Sequence, residues 1–475
     1  MKKTAIIILI FWVSQNIGFT QNLGGYLQMA GENNPELKAY FSDYLAALER
    51  VPQVGSLPDP ELSMGIFLKP MERYMGNQQA DIQLMQMFPW FGTLGAQKDE
   101  ASQMALARYE VFQDAKNRLF YQVKDTWYQM YRLDEEIRIS EENLKILRTY
   151  ERLALIRYQS AGGTGAGSGN MQGSSPSTGN ASASSGMSMG NMGGGIKTGN
   201  TPRTTGGGNT SATMAPSGNM GSGNSGMSDV LRVRIEIRGL ENNLAYLNDS
   251  RLTLHTEFNL LLNRDTDETI AVADILPDTV LSIDRLALLD SITQKNPMLK
   301  MLDAEEGAYG AQLKMARLMG RPMFGAGINY MAFSPRTGDG MSMGGMDMVM
   351  PMVSVTVPIY RKKYKAMSRE AELKQQAAGQ RRENTVNQLT TQWTAALRDL
   401  DDASRRTGLY REQSDLARQT LNLLMTGYSA SGQDFEEVLR VQQQLLDYQL
   451  QLVTAVVDQH MAVAMLEMLA ATELK

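Results

Sequence analysis

The sequence predicts a mixed α/β membrane protein in which a unit of one helix, two strands and a long helical hairpin occurs twice. The dipeptide Asn34-Pro35 recurs as Asn296-Pro297, and the five residues that begin at Asp229 recur in similar form from Glu437. Short runs with period-two alternation follow each dipeptide, as in strands with two unlike faces. Long proline-free stretches with a seven-residue apolar period come next, which is typical of helices packed as coiled coils.

The first twenty residues are typical of a secretion signal. Two lysines at positions 2 and 3 precede an apolar run over residues 5–13, and small and polar residues follow. An apolar run of about nine residues is too short to cross a bilayer as a helix. We therefore expect residues 1–20 to be a signal peptide that is removed from the mature chain.

Composition excludes several classes of protein. The chain has no cysteine, which rules out disulfides and thiolate chemistry, and its two histidines are too few for a multi-histidine metal centre. Because no nucleophile–base pattern or phosphate-binding loop occurs, we expect neither an enzyme nor a cofactor. The net charge of −5 offers no basic field for nucleic acid. After the signal, no apolar run reaches the ~18 residues of a spanning helix, so strands would have to cross any membrane.

The first repeat is expected over residues 21–285. A helix over about 26–50 is followed by strands at about 60–69 and 80–88, in which apolar and polar residues alternate. Gln86 interrupts the apolar face of the second strand. Alternation over about nine residues is typical of a strand between lipid and a polar lumen, although an ordinary half-buried hairpin would give the same pattern.

A long helical hairpin completes the first repeat, with arms at 93–158 and 229–263. Val123, Met130 and Ile137 recur every seven residues in the first arm, a spacing that packs helices as coiled coils. At about 1.5 Å per residue, such an arm is on the order of 100 Å long, which is more than a globular domain needs.

The second repeat is expected over residues 286–475 and has the same order of elements. Its opening helix ends near Met319, and its strands at about 322–333 and 348–359 alternate more clearly than the first pair. Its hairpin is expected at 361–429 and 434–475. One seam of the seven-residue pattern in the last arm comprises Val438, Leu445, Leu452 and Leu466.

Four strands are too few to close a membrane barrel, since the smallest bacterial barrels have about eight. A sheet edge in lipid would leave backbone groups without hydrogen-bond partners. If the strands cross a membrane, the chain therefore has to assemble with copies of itself. Three copies of four strands predict a trimeric twelve-stranded β-barrel, continued by a long α-helical coiled-coil barrel.

Together these features resemble the TolC-like outer membrane efflux protein family over essentially the whole mature chain. The resemblance rests on the duplicated order of elements, the two Asn-Pro dipeptides, Pro89 and Pro358 where the second strand of each repeat ends, and the turn sequences beginning at Asp229 and Glu437. It implies a homotrimeric barrel in the outer membrane lipid and a helical tunnel in the periplasm. It also implies two partners, a periplasmic adaptor protein and an RND-type inner-membrane pump.

The resemblance further implies a narrow tunnel mouth lined by acidic residues near the periplasmic helix turns. Asp229 and Glu437 are the matching carboxylates, and three copies would form rings of negative charge at the entrance. Two alternatives remain open. An acidic residue in a first helical turn also stabilises the helix dipole. Arg440, at a position where the family often has a second acidic residue, favours a Glu–Arg network.

The 33 methionines are the main compositional excess. Residues 161–227 hold 20 of the 43 glycines and seven methionines, and we expect them to form a flexible insertion at the tip of the first hairpin. Similar methionine hexads occur in this insertion and between the strands of the second repeat. The candidate soft-metal ligands are Met187, Met189, Met192, Met341, Met343, Met346, Met348 and Met350. Neutral thioethers suit Cu(I) and Ag(I), although methionine also serves as a plain apolar residue.

We therefore expect a passive outer membrane channel of a tripartite efflux system, with Cu(I) or Ag(I) as the preferred cargo. Within transport, the alternative is a channel for drug efflux or type I protein secretion, in which the methionines are incidental. From a different class, a non-channel periplasmic coiled-coil scaffold would have strands that never enter lipid.

Overall fold

A computed structural model describes residues 23–73, 75–162, 225–272, 276, 284–338, 341–431 and 435–472. The expected signal peptide over 1–20 and most of the expected insertion, including Met187, Met189 and Met192, lie outside the described residues. The chain forms two compact units, Met1–Asn143 with Leu240–Lys475 and Leu144–Gly239.

Helices and strands follow one another in the order that the duplication predicts. The first repeat contains α1 (Leu23–Asn33), α2 (Pro35–Val54), β1 (Glu61–Arg73), β2 (Gly76–Phe88), α3 (Thr93–Gly162) and α4 (Ser225–Leu261). The second contains α5 (Arg285–Lys295), α6 (Pro297–Leu318), β3 (Met323–Ser334), β4 (Arg336–Gly338), β5 (Met341–Met343), β6 (Met348–Thr356), α7 (Arg361–Ser431) and α8 (Phe435–Ala470). The expectation of a mixed chain with long helices and four main strands is confirmed.

Each opening helix is divided at its Asn-Pro dipeptide. The expectation of one uninterrupted helix at 26–50, and of another that runs to about Met319, was therefore wrong in its continuity. Proline has no N–H and pushes the residue before it into extended backbone. Asn34 accordingly has φ −58° and ψ 123°, and Asn296 has φ −59° and ψ 125°. The ψ angle of each asparagine is far from the helical value of about −42°, so one helix ends and another begins there.

The two asparagines make the same pair of hydrogen bonds. Asn34 Oδ1 accepts from a backbone N–H in the first turn of α2 at 3.1 Å, and its Nδ2 donates to the Leu261 carbonyl at 3.1 Å. Asn296 Oδ1 accepts from the first turn of α6 at 3.0 Å, and its Nδ2 donates to the Leu469 carbonyl at 3.0 Å. Each side chain therefore connects the start of one helix to the end of a hairpin arm, where backbone groups lack helical partners.

Two hydrophobic cores occupy equivalent positions in the two repeats. The first comprises Tyr26, Ala30, Leu37, Leu119, Val123, Trp127, Met130, Phe258 and Leu262. The second comprises Leu288, Ile292, Leu299, Leu389, Ala396, Leu397, Leu466, Leu469 and Ala470. Equivalent positions in the two repeats differ by 262, as for 26 and 288, 34 and 296, and 37 and 299. The duplication seen in the sequence thus extends to the packing.

The seven-residue period places its apolar positions inside the helix packing. Val123, Met130 and Ile137 of α3 are buried, as are Val438 and Leu445 of α8. Among the described residues, α8 is the one helix with the length and mean hydropathy of a membrane span, and half of its apolar window is buried in the packing. The core helix of a soluble bundle has the same property.

The four main strands form an antiparallel sheet in the order β1-β2-β3-β6, and β4 pairs with β5 in a separate ribbon. β1 continues to Arg73, with an irregular register between Ile66 and Met71. The strand expected at about 348–359 ends earlier, at Thr356, because Pro358 cannot donate a ladder hydrogen bond. β2 and β3, which belong to different repeats, pair over Asn77↔Ser334 to Phe88↔Phe324.

Candidate functional site

The four-stranded sheet has an apolar face and a polar face, which the register assigns because cross-strand partners share a face. The apolar face includes Leu62, Met64, Ile66, Ile82, Leu84, Phe88, Phe324, Ile328, Tyr330, Val349, Val353 and Val355. These side chains are largely exposed, Ile328 at 55% and Val353 at 81%. A contiguous exposed apolar surface across four strands marks a contact with lipid or with another protein.

Gln86 is the polar exception on the apolar face, opposite Ala326. Its Nε2 donates to the Pro58 carbonyl at 2.7 Å and to the Met87 carbonyl at 3.1 Å. Backbone carbonyls therefore satisfy the amide nitrogen, and the interruption seen in the sequence pattern does not break the apolar face.

Aromatic side chains collect where the strands join the helices. The rings of Trp90 and Phe324 stack at 5.9 Å between centroids, and Phe91 packs edge-on against Trp90 at 6.1 Å. Phe91 and Tyr360 are 82% and 84% exposed. Exposed aromatic residues at strand ends are typical of the interface between lipid and water. Sequence reasoning missed this cluster, although the close spacing of Phe88, Trp90 and Phe91 indicates it.

The polar face carries methionines from several strands. One cross-strand row contains Gln83, Asn329 and Met350, and another contains Asp81, Met331 and Met348. Sequence reasoning named the run through Met348, Met350 and Met352, and it missed Met85, Met87 and Met331, which share this face. Adjacent positions in one strand point to opposite faces, so only the register shows which methionines meet.

The other expected methionine ligands do not join this face. Met346 lies in the segment before β6 and is 75% exposed. Met341 and Met343 belong to β5, which pairs only with β4 among the described strands. Among the described residues, no group of three or more histidine, aspartate or glutamate side chains could hold a metal ion.

The expected gate residues lie near the starts of the two shorter hairpin arms. Glu437 is in the first turn of α8, and its Oε1 lies 2.9 Å from Arg440 Nη2 with both side chains at least half exposed. The Glu–Arg pair, one of the two alternatives for this position, is therefore formed. Asp229 is half-buried. It lies beyond the first turn of α4, which begins at Ser225 rather than at 229, so helix capping does not explain it.

A buried ion pair connects the two repeats. Lys124 Nζ of α3 lies 2.5 Å from Glu467 Oε2 of α8, and each side chain is only 15% exposed. Burial, together with the negative charge of Glu467, raises the pKa of nearby Tyr128 to about 12. The pair lies outside the sheet, and Glu467 is in the last turn of α8, at the opposite end from Glu437, so we assign the pair to stability.

The exposed two-faced sheet and the long helices are similar in fold to solved outer membrane channels, which confirms the mostly helical chain with a four-stranded antiparallel sheet that the resemblance implies. VceC, an outer membrane protein of Vibrio cholerae, has a TM-score of 0.68 at 15% identity and covers 95% of this chain and 97% of its own. CusC, whose structures concern transmembrane channel formation, has 0.67 at 13%, covering 95% of each chain. The open outer membrane channel MtrE of Neisseria gonorrhoeae has 0.66 at 14%, covering 95% and 89%. No family model and no curated protein matches the sequence.

Proposed function

We propose that this chain is an outer membrane channel of a tripartite efflux system, through which cargo leaves passively. One observation carries the proposal: the sheet exposes an apolar face along all four strands, and β1 and β6 are its edge strands. Open edges are not tolerated in lipid. A soluble scaffold would gain nothing from such a face and would risk aggregation through it.

Three copies of the chain would remove the open strand edges and give the apolar face a contact with lipid. If β6 of one chain pairs with β1 of the next, twelve strands close a barrel with the apolar face towards lipid and the polar face towards the lumen. The near-complete overlap with outer membrane channels of the same fold supports this arrangement.

We place the barrel in the outer membrane and the helices in the periplasm. α3 and α7 have 70 and 71 residues, which at about 1.5 Å per residue is on the order of 100 Å each. Such helices would bring the channel to a periplasmic adaptor and an RND-type pump, which supplies the energy at the inner membrane.

Fractionation tests the channel proposal most directly. The protein should be found with outer membranes, require detergent for extraction, and sediment as a trimer in mild detergent. Recovery as a water-soluble monomer would contradict the channel and favour the periplasmic scaffold.

We further propose that Glu437, Arg440 and Asp229 control the periplasmic entrance. Three Glu437–Arg440 pairs around the mouth would set its charge. In planar bilayers, Glu437→Gln should lower the preference for cations and Arg440→Gln should raise it. Glu412→Gln is the matched control, because Glu412 is an exposed acidic residue on a different helix, α7. Equal ion selectivity in all three variants would remove these residues from the gate.

We propose Cu(I) or Ag(I) as the cargo, supported by methionines on the polar face and in the expected insertion. Deleting the gene should raise sensitivity to copper and silver and leave dye and antibiotic sensitivity little changed. Replacing Met187, Met189 and Met192 with leucine should reproduce part of that loss. Sensitivity to dyes alone would instead identify a drug channel in which the methionines are incidental.

A further inference from the structure

Two glycines on the polar face of β3 lie opposite methionines. Gly327 lies between Met85 of β2 and Met352 of β6, and in the adjacent row Gly325 lies between Met87 and Ser354. Because glycine has no side chain, each row leaves room above β3 that the neighbouring long side chains can enter.

The two β2 thioethers converge on that room. A Cβ atom at position 325 would lie 2.7 Å from Met87 Sδ and 3.3 Å from Met85 Sδ, so the two sulfur atoms are at most 6.0 Å apart. It would also clash with Ser354 Oγ. A side chain larger than glycine at this position would therefore displace both sulfur atoms and the hydroxyl.

Ser354 holds the two sulfur atoms together from the neighbouring strand. Its Oγ lies 3.7 Å from Met85 Sδ and 3.8 Å from Met87 Sδ, within the range of O–H···S hydrogen bonds. The single hydroxyl proton can donate to either sulfur atom, so Ser354 keeps both neutral donors near one point before any ion arrives. Such preorganisation lowers the cost of binding.

The surroundings favour a cation over plain apolar packing. The next row on the same face contains Gln83 and Asn329. Asn329 is 5% exposed, and its Oδ1 has no hydrogen-bond partner among the described residues. A buried oxygen without a partner costs free energy and presents negative potential. Met350 continues this row, so the methionines share the face with amide groups rather than with a purely apolar core.

We propose that Met85 and Met87, with Met352 across Gly327 as a third donor, form a binding site for Cu(I) or Ag(I) on the polar face of the sheet. The ion would be held by dative bonds from neutral sulfur atoms, so no proton leaves on binding. The site rests on the proposed channel only in that this face would line the lumen. There, a site that releases its ion readily would serve as a step in conduction.

Silver binding to the purified, assembled protein tests the site. All variants are made in a background in which Met187, Met189 and Met192 are leucine, which reduces binding by the insertion. Titration calorimetry with Ag⁺ should lose one site per chain, or weaken it at least tenfold, in Met85→Leu/Met87→Leu. Met64→Leu, on the apolar face of β1, is the matched control and should bind as the background does. X-ray absorption at the silver edge should show sulfur neighbours that the double variant lacks.

A second variant tests the geometry without removing sulfur. Gly325→Ala keeps every methionine but displaces both β2 thioethers, so it should weaken Ag⁺ binding while the protein still assembles. Unchanged stoichiometry and affinity in the double variant, or coordination by oxygen alone, would overturn the site. Silver tolerance in cells tests the cargo proposal separately from the binding site. If the protein binds silver through Met85 and Met87 but does not alter tolerance, the site is supported and the cargo proposal is contradicted.

Discussion

Asn34 and Asn296 show how a repeated dipeptide acts at the level of single residues. Each asparagine caps one helix and hydrogen-bonds to the last carbonyls of a hairpin arm that is distant in sequence, by 227 positions for Asn34 and 173 for Asn296. The proline that follows ends the preceding helix. The pair thus sets a helix break and a tertiary contact at one point, which explains why the dipeptide occurs in both repeats.

Replacing Asn296 with alanine should lower the free energy of unfolding by about 1–2 kcal/mol, since it removes a helix cap and leaves a buried carbonyl unpaired. The midpoint of urea unfolding, followed by helical circular dichroism, measures the loss. Asn422→Ala, an exposed asparagine on α7, should leave the midpoint unchanged. Equal midpoints for the two variants would show that the Asn296 hydrogen bonds do not contribute to stability.

The raised pKa of Tyr128 leads us to expect that the protein loses stability at high pH. This pKa is raised to about 12 by burial and by Glu467, against about 10 for an unfolded tyrosine. Between these two values the unfolded chain binds fewer protons than the folded chain, so stability falls as pH rises. The contribution of Tyr128 is constant below pH 10, and its loss up to pH 12 is about 2–3 kcal/mol. Urea unfolding at pH 9 and 11.5 should show this slope, and Tyr128→Phe should reduce it.

Tyr246→Phe is the control for the pH experiment, because Tyr246 is 67% exposed. This variant should keep the full decline between pH 10 and 12. A decline of the same size in Tyr128→Phe would assign the loss to other groups.

At the level of elements, the sheet depends on keeping its two faces distinct. A lysine in place of Ile328 would put a charge on the apolar face, at a cost of about 2–4 kcal/mol if that face contacts the middle of a bilayer. Gln83→Lys puts the same charge on the polar face, in the row next to Gly327, where water is available. Heat-resistant trimers recovered from outer membranes should decrease for Ile328→Lys and persist for Gln83→Lys. A soluble scaffold would show no such difference.

At the level of the whole molecule, assembly should not require the expected insertion. Three residues, 432–434, separate the two arms of the second hairpin in the sequence, whereas residues 163–224 separate those of the first. A glycine-, serine- and asparagine-rich stretch contributes little apolar burial. Replacing 163–224 with a short Gly-Ser linker should therefore leave outer membrane trimers at their normal level, as measured by native electrophoresis. Loss of trimers would assign the insertion a structural role, and loss of silver tolerance alone would assign it a role in transport.

Local patterns were enough to predict the duplication, the order of the elements, the long helices and the buried seven-residue positions such as Met130 and Val438. These features follow from the spacing of apolar residues along a single helix or strand, which a linear sequence carries directly. The sequence offered three interpretations of Glu437, a charge ring, a helix-dipole residue and a Glu–Arg network, and the ion pair with Arg440 matches the third.

Contacts between distant segments were accessible only from the folded chain. The sulfur of Met87 and the hydroxyl of Ser354 are 267 positions apart, and Lys124 is separated from Glu467 by 343. Their meeting depends on the pairing of β2 with β3 across the repeat boundary and on the packing of α3 against α8. A one-residue shift in strand register would turn Met85 and Met87 to the opposite face. Alternation within each strand predicts two faces, but it carries no information on which side chains of different strands share a row.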